Sequence, residues 1–199
     1  MSPSAWLHDA TVVLDDHPVL RGVSFEAVSG LTLVQGANGA GKTTLLRALA
    51  GLVPLAAGTR AVSAAPLYLG HRAMLLGALS PRANLAFLAS FRGRSSDGVA
   101  GALARWGLSS DGDRPLDRLS AGQRRRAALA RLDTEPEDVV LLDEPFADLD
   151  ADGTALLRAT IRAAVGRGQA VVLVTHQHDE LDRDATRRFV IEDGHMRPA

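Results

Sequence analysis

The stretch "GANGAGKT", Gly36 to Thr43, decides the fold. It matches the pattern G-x-x-x-x-G-K-[ST] and follows the apolar run "LTLVQG". It also opens "KTTLLRALAG", which is apolar at Leu45, Leu46 and Leu49, with Gly51 and Pro54 placed to end a helix. A strand, a glycine-rich turn and a helix start bring successive backbone N–H groups and the positive end of the helix dipole onto one anion. The loop therefore reads as a phosphate cradle, with Lys42 reaching β- and γ-phosphates and Thr43 offering a hydroxyl to Mg2+. The plainer alternative is a glycine-rich connection with no ligand.

A second motif decides between them. "VVLLDEP", Val139 to Pro145, is an apolar strand ending in two carboxylates and a proline. Behind a phosphate loop, Asp143 is expected to hold Mg2+ through water and Glu144 to polarise an attacking water as general base. A third motif, "LSAGQRRR", Leu119 to Arg126, reads structurally as a capping box, with Ser120 as N-cap and Gln123 three residues on. A capped helix start containing Gly122 is also a γ-phosphate binder, and both readings hold at once.

Around these motifs, short β-branched runs alternate with alanine- and leucine-rich stretches, the pattern of an α/β domain with a largely parallel sheet. "ATVVLDD" and "VLRGVSFEAV" read as two opening strands, the second alternating as in a half-exposed antiparallel pair. "VVLLD" and "AVVLVT" are continuous apolar runs suited to strands covered on both faces, and "RRFVIEDG" reads as a last strand and turn. From Arg72 to Arg131 the strand signal vanishes, so residues 72–131 are expected to form a helical subdomain inserted between strands.

Composition narrows the function. At 199 residues, 46% hydrophobic and 23% charged, the chain is expected to be one domain with a substantial core. A net charge of -1 supplies no general basic field, and Arg124, Arg125 and Arg126 are too local to change that, so no nucleic-acid role is expected. The absence of cysteine excludes disulfides, cysteine nucleophiles and thiolate metal sites. "MSPSAWLHDA" lacks the basic and apolar regions of a signal peptide. No window approaches the roughly 20 apolar residues of a membrane helix, so a membrane function would be borrowed from another chain.

Together these residues resemble the ATP-binding subunits of ABC transporters. The resemblance covers essentially the whole chain. Its matches are the Walker A loop Gly36, Ala37, Asn38, Gly39, Ala40, Gly41, Lys42, Thr43 and Thr44; the signature at Leu119 to Gln123, with Ser120, Ala121, Gly122 and Gln123 as the ATP contacts; Walker B ending at Asp143 and Glu144; the D-loop "ADLD" ending at Asp150; and the switch histidine His176 in "VTHQ". It implies a P-loop NTPase fold of ABC type, with a mostly parallel sheet core, an antiparallel N-terminal β-subdomain and an inserted helical subdomain. It also implies ATP and Mg2+ as ligands, a head-to-tail dimer with ATP between the Walker motifs of one copy and the signature of the other, and one or more multispanning membrane subunits as partners.

Counting back from Asn84 and Leu85, where the family commonly has "ENL", places His71 at the Q-loop position, usually glutamine. The resemblance gives His71 a contact with Mg2+ or the attacking water, alongside Thr43 and Asp143, and a part in communication with the membrane subunit. Burial in a core is the alternative for a lone histidine. Within the family the chain is similar to the ATP-binding subunit of the haem exporter of bacterial cytochrome c maturation, in its short length, "YLGH", "LSAGQ", "ALARL", "LLDEPF" and "THQ". That similarity implies an ATPase at the cytoplasmic face of the bacterial inner membrane. Subunits of lipid, drug or metal transporters remain alternatives, as does a soluble non-transport ABC ATPase, although the second cassette or long coiled coil usual there does not fit in 199 residues. A P-loop kinase would leave "LSAGQ" and His176 unexplained.

Two positions depart from the family. Leu14 stands where an aromatic residue often stacks on adenine, a contact worth roughly 1 to 3 kcal/mol. Ala83 replaces the glutamate of "ENL". Trp106 is expected in the subdomain core, and His8, His17, His178 and His195 lack metal-site spacing.

Overall fold

A computed structural model describes residues 5–62, 65–72, 74–175 and 180–199. The first strands follow from alternation and one turn. β1 (Ala5–Leu14) and β2 (His17–Ala27) pair antiparallel, with Leu14 opposite His17. Between them Asp15 and Asp16 both have positive φ, 47° and 61°, the primed-turn geometry whose twist matches the flanking strands. Leu7, Ala10 and Val12 of β1 are buried against Leu20, Val23 and Phe25 of β2. The strand starts at Ala5, ahead of the Ala10 start read from "ATVVLDD".

β3 (Gly30–Gln35) leads through the phosphate-loop sequence into α1 (Lys42–Leu49). Gly51, at φ 76°, ends α1, with the Leu52 N–H donating to the Arg47 carbonyl at 2.8 Å. β4 (Ala57–Val62) then pairs with the free edge of β1, completing a three-stranded antiparallel sheet in the order β2-β1-β4. β5 (Leu67–Leu69) follows. Neither was legible in advance, because "AGTRAV" is mostly small and exposed and β5 is only three residues long.

Four helices come next: α2 (Pro81–Phe91), α3 (Val99–Arg105), α4 (Ala121–Leu129) and the short α5 (Arg131–Thr134). The chain then runs through β6 (Val139–Asp143), α6 (Ala151–Gly166), β7 (Ala170–Val174), β8 (Arg187–Glu192) and β9 (His195–Pro198). The second sheet has the order β5-β6-β7-β3-β8-β9, parallel throughout except for the β8–β9 hairpin. Every residue of β6 and β7 is buried, as their unbroken apolar runs require.

The chain divides into two compact units. The first comprises Met1–Gly70, Glu137–Pro145 and Ile161–Ala199; the second comprises His71–Pro136 and Phe146–Thr160. The first unit is organised by one apolar cluster in which Leu45, Leu46 and Leu49 of α1 meet inner residues of β1 and β2 and of the parallel strands β6 and β7. In the second unit Trp106 is fully buried, its indole N–H donating to Asp133 Oδ2 at 2.8 Å. Glu135, also fully buried, accepts from Arg131 at 2.6 and 3.0 Å and lies 2.7 Å from Arg92 Nε. A carboxylate removed from water in this way requires such partners. Among the described residues, no helix is long and apolar enough to cross a membrane.

Candidate nucleotide site

In the first unit the loop from Gly36 to Gly41 is shaped by close approach. A Cβ on Gly36 would lie 2.4 Å from the Ile191 carbonyl oxygen, and one on Gly41 would lie 2.9 Å from that of Val19. Gly41 is the N-cap of α1, with φ 108° and no side-chain cap. The first N–H groups of the helix therefore face the loop without a competing side-chain acceptor. Lys42 is buried and folds back, its Nζ donating to the carbonyls of Gly36 at 2.7 Å and Ala37 at 2.8 Å. Burial pushes its ammonium below the usual lysine range, while the charges of Glu144 and then Asp143 oppose that shift.

Lys42, Thr43, Thr44 and Glu144 line a cavity of about 190 Å3 beside Asn38 and Gly39. Asp143 closes β6, is 2% exposed, and accepts from the Tyr68 hydroxyl at 3.3 Å. Glu144 follows with φ 47°, a left-handed backbone for a non-glycine residue, and its N–H donates to the Val174 carbonyl at 2.9 Å. Ala37 to Ala40 also border an open cleft of about 850 Å3, whose other wall includes Arg21 and the β8–β9 turn at Asp193 and Gly194. Leu14 is half-buried and packs on the core.

In the second unit the capping box is present. The Gln123 N–H donates to Ser120 Oγ at 3.1 Å, and the Ser120 N–H donates to Gln123 Oε1 at 2.9 Å. Gln123 Nε2 also donates to Asp111 Oδ2 at 2.8 Å, holding the amide in that orientation. Gly122 has a local reason, since a Cβ there would lie 2.9 Å from the Asp148 carbonyl oxygen. Arg126 on α4 pairs with Asp150. His71 is exposed, so the core reading of this histidine fails. Its carbonyl accepts from Arg125 Nη1 at 3.3 Å, and it borders a cavity of about 460 Å3 with Arg72, Ala121, Arg124, Arg125 and Asp148.

Three features of α2 were not read from the sequence. Asn84 is buried, and its side chain accepts from the Leu76 N–H at 2.7 Å and donates to the carbonyls of Leu76, Leu79 and Ser80. Ser80 caps α2 by accepting from the Ala83 N–H at 3.2 Å, which makes Ala83 the N3 residue. A glutamate there would complete a capping box, so Ala83 leaves only the serine half. Phe87 and Phe91, 54% and 80% exposed, stack on one face of α2 with ring centres 6.3 Å apart. Met74 and Leu76 are exposed nearby in sequence, and residues 71–96 contain no carboxylate. His176 and His178 lie outside the described residues. Among the described residues, no group of three or more His, Cys, Asp or Glu is placed to hold a metal ion.

The sequence model described as "ABC transporter" matches residues 20–147. The chain belongs to the ABC transporter family. It is 45% identical over 175 residues to the cytochrome c biogenesis ATP-binding export protein CcmA of Paracoccus denitrificans, covering 85% of this chain and 81% of that one. It is 42% identical over 197 residues to the protein of the same name from Xanthomonas axonopodis pv. citri, covering 93% and 92%. Against that of Rhodobacter capsulatus it is 46% identical over 162 residues, covering 79% and 74%. An ATP-binding subunit of an ABC transporter superposes with a TM-score of 0.89 at 18% identity, covering 98% of this chain and 89% of that one. A dimeric ATP-binding cassette in a post-hydrolysis state, bound to ADP and Pi, gives 0.88 at 18% identity, covering 98% of each chain. Both share the ABC ATPase fold: a mixed sheet, an antiparallel N-terminal sheet and helices.

Proposed function

We propose that this chain is the ATP-hydrolysing subunit of an ABC exporter complex that serves cytochrome c maturation, with haem as the exported cargo. The observation that carries the reading is identity of 41 to 46% with relatives named as cytochrome c biogenesis ATP-binding export proteins, over most of both chains. The chain works at the cytoplasmic face of a bacterial inner membrane, peripherally, with a second copy of itself and a multispanning membrane subunit. One nucleotide-binding domain spans residues 1–199, and its helical part takes in residues 72–131.

ATP phosphates occupy the cavity at Lys42, and the Lys42 ammonium exchanges the carbonyls of Gly36 and Ala37 for β- and γ-phosphate oxygens. The donors present suit Mg2+, because the Thr43 hydroxyl and the Asp143 carboxylate are hard oxygens and Mg2+ takes one or two protein oxygens while keeping water and phosphate. When bound, Mg2+ neutralises phosphate charge. Glu144 takes a proton from water as its oxygen bonds to the γ-phosphorus; the bridging bond breaks and its electron pair leaves with ADP. Its left-handed backbone is held by the Val174 carbonyl, which fixes where the carboxylate begins. Ser120, Ala121, Gly122 and Gln123 of one copy close on the γ-phosphate held by the other, with Asp150 in the D-loop, while His176 supports the γ-phosphate and the attacking water alongside Glu144. His71 replaces the usual glutamine, acting toward Mg2+ and water and in coupling to the membrane subunit. The exposed, stacked Phe87 and Phe91, within a run of sequence that has no carboxylate from residue 71 to 96, support a membrane partner on the second unit.

Deleting the gene and tagging its product tests the reading. The expected result is loss of mature c-type cytochromes together with recovery of a complex containing a multispanning subunit. Normal cytochrome c without the protein, or a complex with an unrelated permease, overturns it.

A further inference from the structure

Tyr68 has no role in the mechanism above, yet it is 8% exposed and touches the centre of the site. On the parallel pair β5–β6 it stands opposite Leu141. Side chains alternate along a strand, so Asp143, two residues beyond Leu141, lies on the same face at the diagonal position. That diagonal is within reach of a long ring. The phenol oxygen of Tyr68 is 3.3 Å from Asp143 Oδ2.

The direction of this contact follows from the acceptor. A carboxylate oxygen only accepts, so the phenol proton of Tyr68 goes to Asp143 Oδ2. Gly70 leaves the phenol its position, because a Cβ there would come within 3.0 Å of the Tyr68 oxygen. Tyr68 of β5 thus reaches the Asp143 carboxylate of β6 across the strand pair.

We infer that Tyr68 is a positioning residue that orients the Asp143 carboxylate for a divalent cation, a role that rests on the reading of Asp143 as a metal-holding group. Partners of metal-holding carboxylates usually account for 10- to 100-fold in metal affinity. The long contact and the second oxygen left to other partners place Tyr68 at the lower end, about tenfold.

Mn2+ serves as the probe, titrated by electron paramagnetic resonance into the ADP-saturated full chain, alongside ADP affinity measured without metal. Tyr68→Phe keeps the ring and removes the hydroxyl. The expected result is about tenfold weaker Mn2+ binding, with metal-free ADP affinity and the Tm of the metal-free protein unchanged. Asp143→Asn is expected to weaken Mn2+ at least as much. Unchanged Mn2+ affinity in Tyr68→Phe, with a loss in Asp143→Asn, overturns the role of Tyr68 and leaves that of Asp143 standing. Unchanged affinity in Asp143→Asn overturns both. If Tyr68→Phe does not fold, Gly70→Ala displaces the phenol without removing it; weaker Mn2+ binding there supports the inference and unchanged binding overturns it.

Discussion

Arg126 Nη2 lies 2.5 and 2.6 Å from the two carboxylate oxygens of Asp150. Asp150 Oδ1 also accepts from the Gly153 N–H at 2.9 Å, at the start of α6. One carboxylate therefore caps the start of α6 and ties it to α4, the helix that carries Gln123. The signature and the D-loop are joined a second time where Gly122 passes the Asp148 carbonyl.

This pairing has a pH signature. The hydrogen bond from Arg126 holds the Asp150 carboxyl below the usual carboxylate range. A group whose folded pKa is depressed contributes stability that is present above its unfolded pKa and lost as pH falls through the folded one. Arg126→Ala is expected to lower the Tm at pH 7, and the difference from wild type should shrink progressively under acid conditions. Asp150→Ala should cost more than Asp150→Asn, because asparagine keeps an oxygen for Gly153. Thermal melts of the four proteins across pH check both orders.

Lys42 and Glu144 should separate binding from chemistry. Lys42→Ala removes a charged donor from phosphate and is expected to weaken ATP about 10- to 100-fold, the equivalent of 1.5 to 3 kcal/mol for such a bond. Glu144→Gln should leave ATP affinity within about threefold while slowing hydrolysis by 100-fold or more, since only the proton acceptor is lost. Equilibrium binding and single-turnover hydrolysis measure the two effects. Size exclusion with ATP should show a trapped dimer only for Glu144→Gln.

Gly36 and Gly39 offer a graded test of the loop. Gly36→Ala places a methyl 2.4 Å from the Ile191 carbonyl oxygen, so backbone must move. Gly39→Ala meets nothing within 4 Å and bears only its positive φ of 79°. The expected cost is about 1 kcal/mol for Gly39→Ala and more than 2 kcal/mol for Gly36→Ala. Urea unfolding without nucleotide reads the difference.

Phe87 and Phe91 are exposed, so replacing both by serine should change stability by less than about 0.5 kcal/mol. The same double variant is expected to lose most of its retention by the membrane subunit. Tm and co-purification from detergent extracts test the two statements independently.

His71→Ala is expected to lose at least tenfold of the stimulation supplied by the membrane subunit and to impair cytochrome c maturation. His71→Gln should restore most of it, because an amide supplies the same donor and acceptor pair as neutral imidazole. Full stimulated turnover in His71→Ala would show that coupling runs elsewhere.

Local pattern and tertiary placement contributed different parts of this site. β3, β6 and β7 were legible because strands buried on both faces need unbroken apolar runs, and α1 because Gly51 and Pro54 mark its end. The Ser120 and Gln123 capping box was legible because its two hydrogen bonds join residues three apart. β4 was hidden, since its pairing comes from the edge of β1 and not from its own residues. His71 was read at the Q-loop position with core burial as the alternative, and only the folded chain put it in solvent.

By itself the sequence determined the phosphate loop, the two Walker carboxylates, the signature and the family, because each depends on residue types at short, fixed separations. Only the tertiary structure decided that Lys42 rests on its own loop, that Glu144 sits on a left-handed backbone, and that Tyr68 reaches Asp143 across 75 residues of chain. Those relationships depend on strand register and on backbone held by partners distant in sequence, which no local pattern carries.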